Sequence, residues 1–258
     1  MSQIDPRAII DPSAELGEDV VIGPWTIVGP DVKIGDGTVI HSHVVIRALT
    51  TIGKNNRIFQ FTTIGEDTPD LKYKGEPTRL EIGDNNTIRE GVTIHRGTVQ
   101  DNSLTSIGDN NLLMAYVHIG HDCTVGSNCI LVNNASLAGH VDVGDWAIIS
   151  GYALIHQFVS IGAHSFIGAG AYLTQDLPAY VMAAGTPTEP RTINSEGLRR
   201  RGFDKDQIAA IKQAYKVLYR QGLPLEEALE KMESLAAEQP AVQLMIDTVR
   251  ASKRGLLR

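Results

Sequence analysis

Aliphatic residues recur along this chain every six positions, a beat that fits neither the 3.6-residue turn of an α-helix nor the two-residue alternation of an ordinary strand. The series runs through Ile4, Ile10, Leu16, Ile22, Val28, Ile34, Ile40, Ile46, Ile52, Ile58 and Ile64. It resumes at Ile82, Ile88 and Ile94, and again from Ile107 in steps of six to Leu173, so that 26 positions are all Ile, Leu or Val. The next residue is often glycine (Gly23, Gly35, Gly53, Gly83, Gly108, Gly126), as a turn needing a permissive backbone requires. Two residues before the aliphatic the side chain is small or β-branched: Thr26, Val32, Val44, Thr62, Cys123, Cys129, Ala135, Ala147. Each hexad predicts a short strand and a corner. Three sides make a coil of 18 residues, and 26 hexads make about nine coils of a parallel β-helix, on the order of 40 Å tall at the usual strand spacing.

Two gaps break the beat. Ile64 to Ile82 spans 18 residues and Ile94 to Ile107 spans 13. A plain coil across the first gap needs aliphatics at 70 and 76, which are Asp70 and Glu76. Each gap therefore predicts one hexad with a loop pushed outward, near 66–80 and 97–105. Ile64, Ile94, Ile119, Leu137 and Ile155 then stack on one side of the prism.

After about residue 190 the period changes, dividing the chain into a β-helix at 1–190 and a helical domain at 191–258. Helices are expected over 194–201, 204–220, 225–237 and 241–250, with Pro224 and Pro240 at first-turn positions and Gly222 as a stop. The second places Ile208, Ile211, Tyr215 and Leu218 on one stripe and Lys205, Lys212, Lys216 and Arg220 mostly off it. Such a domain caps the open end of a solenoid.

Charge refines this picture. The 258 residues carry 23 Lys and Arg against 30 Asp and Glu, a net of −7, but the last 68 hold 13 against 9. A basic tail on an acidic body fits an anionic partner near the tail and lacks the broad basic face of a nucleic-acid binder. No apolar run of membrane-spanning length and no secretory signal are visible, so a cytoplasmic protein is expected. The two cysteines read as core fillers.

Stacking gathers five of the eight histidines, His95, His118, His121, His140 and His156, along the edge from which both loops leave; His41, His43 and His164 read as ordinary surface residues. Gly139 falls one coil above His121, leaving the space beside it open and its own N–H uncovered. Asp122 adjoins His121 and lies one coil from His140. A base, an orienting carboxylate and a free amide are the parts of a hydroxyl-to-carbonyl transfer site. A zinc site built from the histidines is the alternative chemistry.

The hexads resemble those of the hexapeptide-repeat acyltransferases, which implies a left-handed, trimeric β-helix. DLKYKGEPTR (70–79), IREGVTIHRGTVQ (88–100), HIGHDCTVG (118–126), NNASLAGHV (133–141), HQF (156–158) and NSEGLRRRGF (194–203) resemble the family of acyl-carrier-protein–UDP-N-acetylglucosamine O-acyltransferases, which perform the first step of lipid A synthesis. The resemblance spans the whole chain, departing at GTPTEPRT (185–192), where the family often has Asn after the glycine.

The resemblance implies that His121 is the general base toward the sugar 3-hydroxyl, which attacks the thioester of a 3-hydroxyacyl carrier protein. It makes Asp122 the support of His121 and the Gly139 amide the oxyanion donor, with no cofactor beyond the donor's phosphopantetheine. Asp70, Lys72, His95, His118, His140, His156 and Gln157 would position sugar and acyl donor, and Asn194, Glu196, Arg200 and Arg201 the UDP end. Lys205, Lys212, Lys216 and Arg220 would face the acidic carrier protein. Ala169 would close the acyl groove, setting a chain of about 12 carbons. The related UDP-sugar N-acyltransferases, a zinc-dependent hydratase on the same fold and a non-catalytic scaffold are the competing readings.

Overall fold

The computed structural model describes residues 2–258. Twenty-six short strands, most of two residues, run from Gln3–Ile4 to Tyr172–Leu173, and each contains one of the periodic aliphatics. They stack in parallel as three sheets, the faces of a prism whose coils wind left-handed. The first face carries Ile4, Ile22 and Ile40 onward, the second Ile10, Val28 and Ile46 onward, and the third Leu16, Ile34 and Ile52 onward. From Val20 on, the inward aliphatics are at most a few percent exposed, as are Thr26, Val32, Val44, Thr62, Cys123, Cys129, Ala135 and Ala147 beside them. Removing each large aliphatic from water contributes roughly 1.5–3 kcal/mol. One interior column is polar: Asn56, Asn86 and Asn111 pass their side-chain carbonyls to the next coil's backbone N–H at 2.7–2.8 Å.

The corners correct one expectation. Left-handed backbone falls three residues after the aliphatic, at Asp19, His43, Asn85, Tyr116, Asp122 and His140 among others, with φ of 54° to 61° at these six. Apart from Gly65, the glycines directly after the aliphatic supply close approach instead. A Cβ on Gly23 would stand 2.7 Å from the Ser42 nitrogen, and one on Gly35 2.6 Å from the Gly53 carbonyl carbon.

Both gaps are loops on single hexads. Ile64 pairs with Ile94, Ile94 with Ile119, Ile119 with Leu137 and Leu137 with Ile155. The loops run from Glu66 to Arg79 and from His95 to Leu104, both crossing from the second face to the third.

A hairpin that the six-residue beat does not announce links prism to tail. Strand Val181–Ala184 extends the first face in parallel, and Glu189–Ile193 returns antiparallel, across residue 190. The helices are α1 (Ser195–Arg200), α2 (Lys205–Arg220), α3 (Leu225–Glu238) and α4 (Gln243–Arg250), with a 3-10 turn at Pro240–Val242 before α4. Asn194 and Pro224 precede their helices as caps. Asp204 and Gln207 close a capping box on α2, whose buried stripe holds Ile211, Ala214, Tyr215, Val217 and Leu218. His164, expected to be an ordinary surface residue, is where the tail docks. Its ring lies against Trp146, Tyr180 and Phe203, and Arg201 bonds its Nδ1 at 3.2 Å. No helix among the described residues is long and apolar enough to cross a membrane.

Candidate active site

His121 and His140 stand on consecutive coils at the edge between the second and third faces, rings perpendicular and 4.9 Å apart. Asp122 lies between them. Its Oδ2 is 2.8 Å from His121 Nδ1 and 3.8 Å from His140 Nε2. The Asp122 side chain is 1% exposed, and the loop after His95 closes over it: Thr98 donates its backbone N–H to Oδ1 and its hydroxyl to Oδ2, each at 2.7 Å. Burial alone raises a carboxyl pKa. Here the donors from His121 and Thr98 and the nearby His140 outweigh burial and hold Asp122 below its ordinary value. The carboxylate is ionised at neutral pH, and with Nδ1 turned to it, His121 presents Nε2 outward.

Gly139 faces that ring. A Cβ there would meet His121 Cε1 at 2.5 Å and Nε2 at 2.6 Å, and no hydrogen bond engages the Gly139 N–H among the described residues. His140 stacks on Phe158 at 4.4 Å and pairs through Nδ1 with Asp101 at 2.8 Å.

The other histidines line the same edge in separate groups. His95 and His118 are 5.3 Å apart, His118 bonded to Thr93 and His95 to the Asp67 carbonyl. Burial, with His95 and His121 nearby, lowers the His118 pKa. A groove of about 400 Å³ on the second face brings His118, His156 and Gln157 together with Leu154 and Tyr172. A second, of about 530 Å³, opens on the third face, where His140 and Asp122 meet Phe158 and the residues near the C-terminus.

Asp70 and Lys72 lie on the first loop, Asp70 half-buried and Lys72 exposed. That loop is tied down by Arg96, whose guanidinium bonds the Gly65 carbonyl, Tyr73 and Asp67. Asn194 is buried, capping α1 and donating to the His164 carbonyl. Glu196 binds Arg199 and Arg200, and its pKa is lowered to about 2 by them. Arg201 lies over Trp146, 5.2 Å from the ring centroid. Arg201 and Asn194 pack at the corner between the third and first faces, and Ala169 is exposed at the corner between the first and second. Within one chain these corners are separate from the histidine edge. On α2, Lys205, Lys212 and Lys216 are exposed, whereas Arg220 bonds the Arg191 carbonyl and Tyr215.

The hexad pattern pointed to the edge but not to Thr98, Asp101, Arg96 or Phe158. Three of these belong to loops or to a strand exit outside the six-residue register. Phe158 sits at the left-handed corner position one coil above His140, a signal that spacing alone could have given. The two cysteines are core fillers: burial pushes their thiols up to about 12 for Cys123 and about 11 for Cys129.

The donor atoms of His121, Asp122 and His140 lie within 4.8 Å of one another, close enough for a metal. Asp122 also accepts from Thr98 twice and faces His121 Nδ1, the contacts that an acid–base pair would use.

Residues 176–257 match the family model for domain 2 of UDP-N-acetylglucosamine O-acyltransferase, and residues 13–48 and 104–139 match the bacterial transferase hexapeptide model of six repeats. The chain is 65% identical, over the full length of both, to the acyl-[acyl-carrier-protein]–UDP-N-acetylglucosamine O-acyltransferase of Ectopseudomonas mendocina. LpxA from Acinetobacter baumannii is 51% identical with a TM-score of 0.97, covering 99% of each chain. The UDP-N-acetylglucosamine acyltransferase of Francisella novicida is 45% identical with the same TM-score, covering 99% of this chain and 94% of that one. Full-length identity at this level, on a shared fold, makes the chain a member of the acyl-[acyl-carrier-protein]–UDP-N-acetylglucosamine O-acyltransferase family.

Proposed function

We propose that this enzyme, which moves an acyl chain from acyl carrier protein to UDP-N-acetylglucosamine in the first step of lipid A biosynthesis, does so at the sugar 3-hydroxyl with a 3-hydroxyacyl donor and His121 as general base. The observation that carries the mechanism is the hydrogen-bonded line Thr98–Asp122–His121, ending at an Nε2 beside the space that Gly139 leaves open.

His121 Nε2 takes the hydroxyl proton as the sugar oxygen attacks the thioester carbonyl. Asp122 stabilises the imidazolium that forms and fixes its tautomer, as a buried carboxylate does best. The Gly139 N–H donates to the oxyanion of the tetrahedral intermediate. Collapse expels the thiolate, which takes the proton back from His121. The activated thioester makes any further cofactor unnecessary.

Asp70, Lys72, His95, His118, His140, His156 and Gln157 orient sugar and acyl chain in this reading. Asn194, Glu196, Arg200 and Arg201 hold the UDP end, for which paired arginines suit the diphosphate. Because those residues pack at another corner of the prism, the reading requires the edge of one chain to face a corner of its neighbour, as in a cytoplasmic homotrimer. Lys205, Lys212, Lys216 and Arg220 offer positive charge to the acidic carrier protein.

The test is mass spectrometry of the products from UDP-N-acetylglucosamine and a 3-hydroxydodecanoyl carrier protein. A 3-O-acylated nucleotide sugar that disappears in His121→Ala is expected. Product that survives His121→Ala removes the base assignment, and acyl transfer to nitrogen removes the regiochemistry.

A further inference from the structure

The groove of about 530 Å³ on the third face begins at His140 and Asp122 and ends against a strap formed by the last residues of the chain. Among the described residues, three carboxylates line it, Asp101, Asp122 and Asp142, and its only lysine or arginine side chains are Lys253 and Arg254. An anion entering beside the reacting atoms passes neutral groups and three carboxylates, and finds its complementary Lys and Arg charge at these two residues.

Their position is fixed from beneath. Asp176 is 2% exposed, and its Oδ2 accepts from the Ser252 hydroxyl at 2.7 Å and from the Lys253 and Arg254 backbone N–H groups at 3.0 Å each. Its Oδ1 accepts from Ser160 N–H on the third face at 2.8 Å. The Asp176 backbone is paired as well, donating to the Gly255 carbonyl and accepting from Leu257 N–H. One buried carboxylate thus ties the strap to the prism. Arg254 is further oriented by its Nε–H on the Thr174 carbonyl at 3.0 Å, which leaves its outer guanidinium nitrogens without a partner among the described residues.

We propose that Lys253 and Arg254 form a phosphate-ester subsite at the far end of the His140 groove, with Asp176 as the positioning residue that holds it in place. The proposal rests on the acyl-transfer reading above and adds a ligand contact to it. The donor's phosphodiester is the anion it best fits. The nucleotide diphosphate already has the arginines that follow Asn194, whereas the pantetheine arm must carry its thioester to His121 and leave its phosphate outside.

The experiment uses the full-length protein and two donors, 3-hydroxydodecanoyl phosphopantetheine and the same thioester on pantetheine lacking the phosphate. Charge-assisted bonds to phosphate predict that the wild type favours the phosphorylated donor in KM by about tenfold or more. The Lys253→Gln/Arg254→Gln double variant should lose that preference, with kcat and the KM for UDP-N-acetylglucosamine within about twofold of wild type, and the charge-keeping Lys253→Arg should retain it. Asp176→Asn should raise the phosphorylated donor's KM in the same direction. A raised KM for the nucleotide sugar with donor preference intact supports the subsite and assigns it to the diphosphate. Unchanged KM for both substrates in the double variant overturns the proposal. If the wild type transfers no acyl group, it is the acyl-transfer reading that fails. Calorimetric binding of phosphopantetheine to wild type and double variant then decides the subsite alone, equal affinities refuting it.

Discussion

The Cβ that Gly139 lacks would stand 2.6 Å from Nε2 of His121, so the candidate base and the candidate oxyanion donor share one small space. A methyl placed there overlaps the ring, so the imidazole or the Gly139 backbone must shift and the pair loses its spacing. Gly139→Ala should lower kcat by about 10²-fold or more, the usual cost of losing a base or one oxyanion donor, with the melting temperature little changed. Adding His121→Ala should cost little more, since both act on one step. Steady-state rates of the two single variants and the double check this; additive losses would separate the roles.

Asp122 links activity to stability. Its folded pKa lies below the ordinary carboxylate value, so the stability it contributes is whole above the unfolded pKa, near 4, and is lost as pH falls through the folded value. Asp122→Asn should reduce kcat by about 10²-fold or more, because Asn cannot stabilise the imidazolium. The wild type's advantage in melting temperature over this variant should be constant from pH 7 to about pH 5 and shrink below pH 4. An advantage unchanged down to pH 3 would show that Asp122 is not a paired carboxylate in the folded chain.

His164 predicts a second pH dependence, at the junction of prism and tail. Burial, with Arg201 alongside, lowers its pKa to about 4 despite the pull of Asp145. Its Nδ1 therefore accepts from Arg201 as a neutral ring. The unfolded chain takes up a proton near pH 6.5 that the folded chain refuses, so stability falls as pH drops from about 6.5 towards 4. His164→Gln keeps an acceptor and removes the titration, so its melting temperature should fall less steeply between pH 7.5 and 5. Parallel slopes for the two proteins would remove His164 from the account.

Those groups differ in how far the sequence announces them. Stacking by eighteen residues is a rigid arithmetic, because each coil must pair its backbone with the next, and it places Gly139 against His121. Ile94 falls beside Ile64, thirty residues on, once Asp70 and Glu76 mark the first gap as one hexad with a loop. Thr98 and Asp101 escape that arithmetic: they lie on an outward loop whose path depends on what it closes over. The hairpin at 181–193 escapes it too: its first strand adds to the edge of the first face sixteen residues after Ile167, off the six-residue beat, and its second pairs antiparallel with the first alone. The glycines after the aliphatics were legible as positions but not as causes. Apart from Gly65 their φ is ordinary, and what excludes a side chain is the neighbouring coil, its backbone and the polar side chains beside it.

Metal removal tests the arrangement of His121, Asp122 and His140 from another side. Their donor atoms are close enough to share an ion. Asp122 is occupied by Thr98 and His121, and His140 Nδ1 by Asp101. Acyl transfer should survive dialysis against chelator with less than about twofold loss, and added zinc should inhibit by capturing Nε2 of His121. Stoichiometric zinc in the purified protein, with activity lost on chelation and restored by zinc, would favour the hydratase chemistry instead.

Ala169 carries the prediction about substrate length. It is exposed at its corner, between Gly168 and Gly170, the latter at φ 67° with nothing within 4 Å of the Cβ it lacks. A larger side chain at 169 would therefore extend into open space and not into the prism, changing whatever groove forms there while sparing the fold. We propose this corner as the end of the acyl groove, as the resemblance implies; alanine's single methyl then predicts an optimum of about 12 carbons and a slower reaction with 14. A misfit of one methylene is worth only about 1–3 kcal/mol, so the preference should be graded rather than absolute. Ala169→Gly should shift the optimum towards 14 carbons and Ala169→Met towards 10, with equal melting temperatures in all three proteins. Rates with carrier-protein donors of 10, 12 and 14 carbons decide it: a profile that does not move with the size of residue 169 would take the ruler away from this corner.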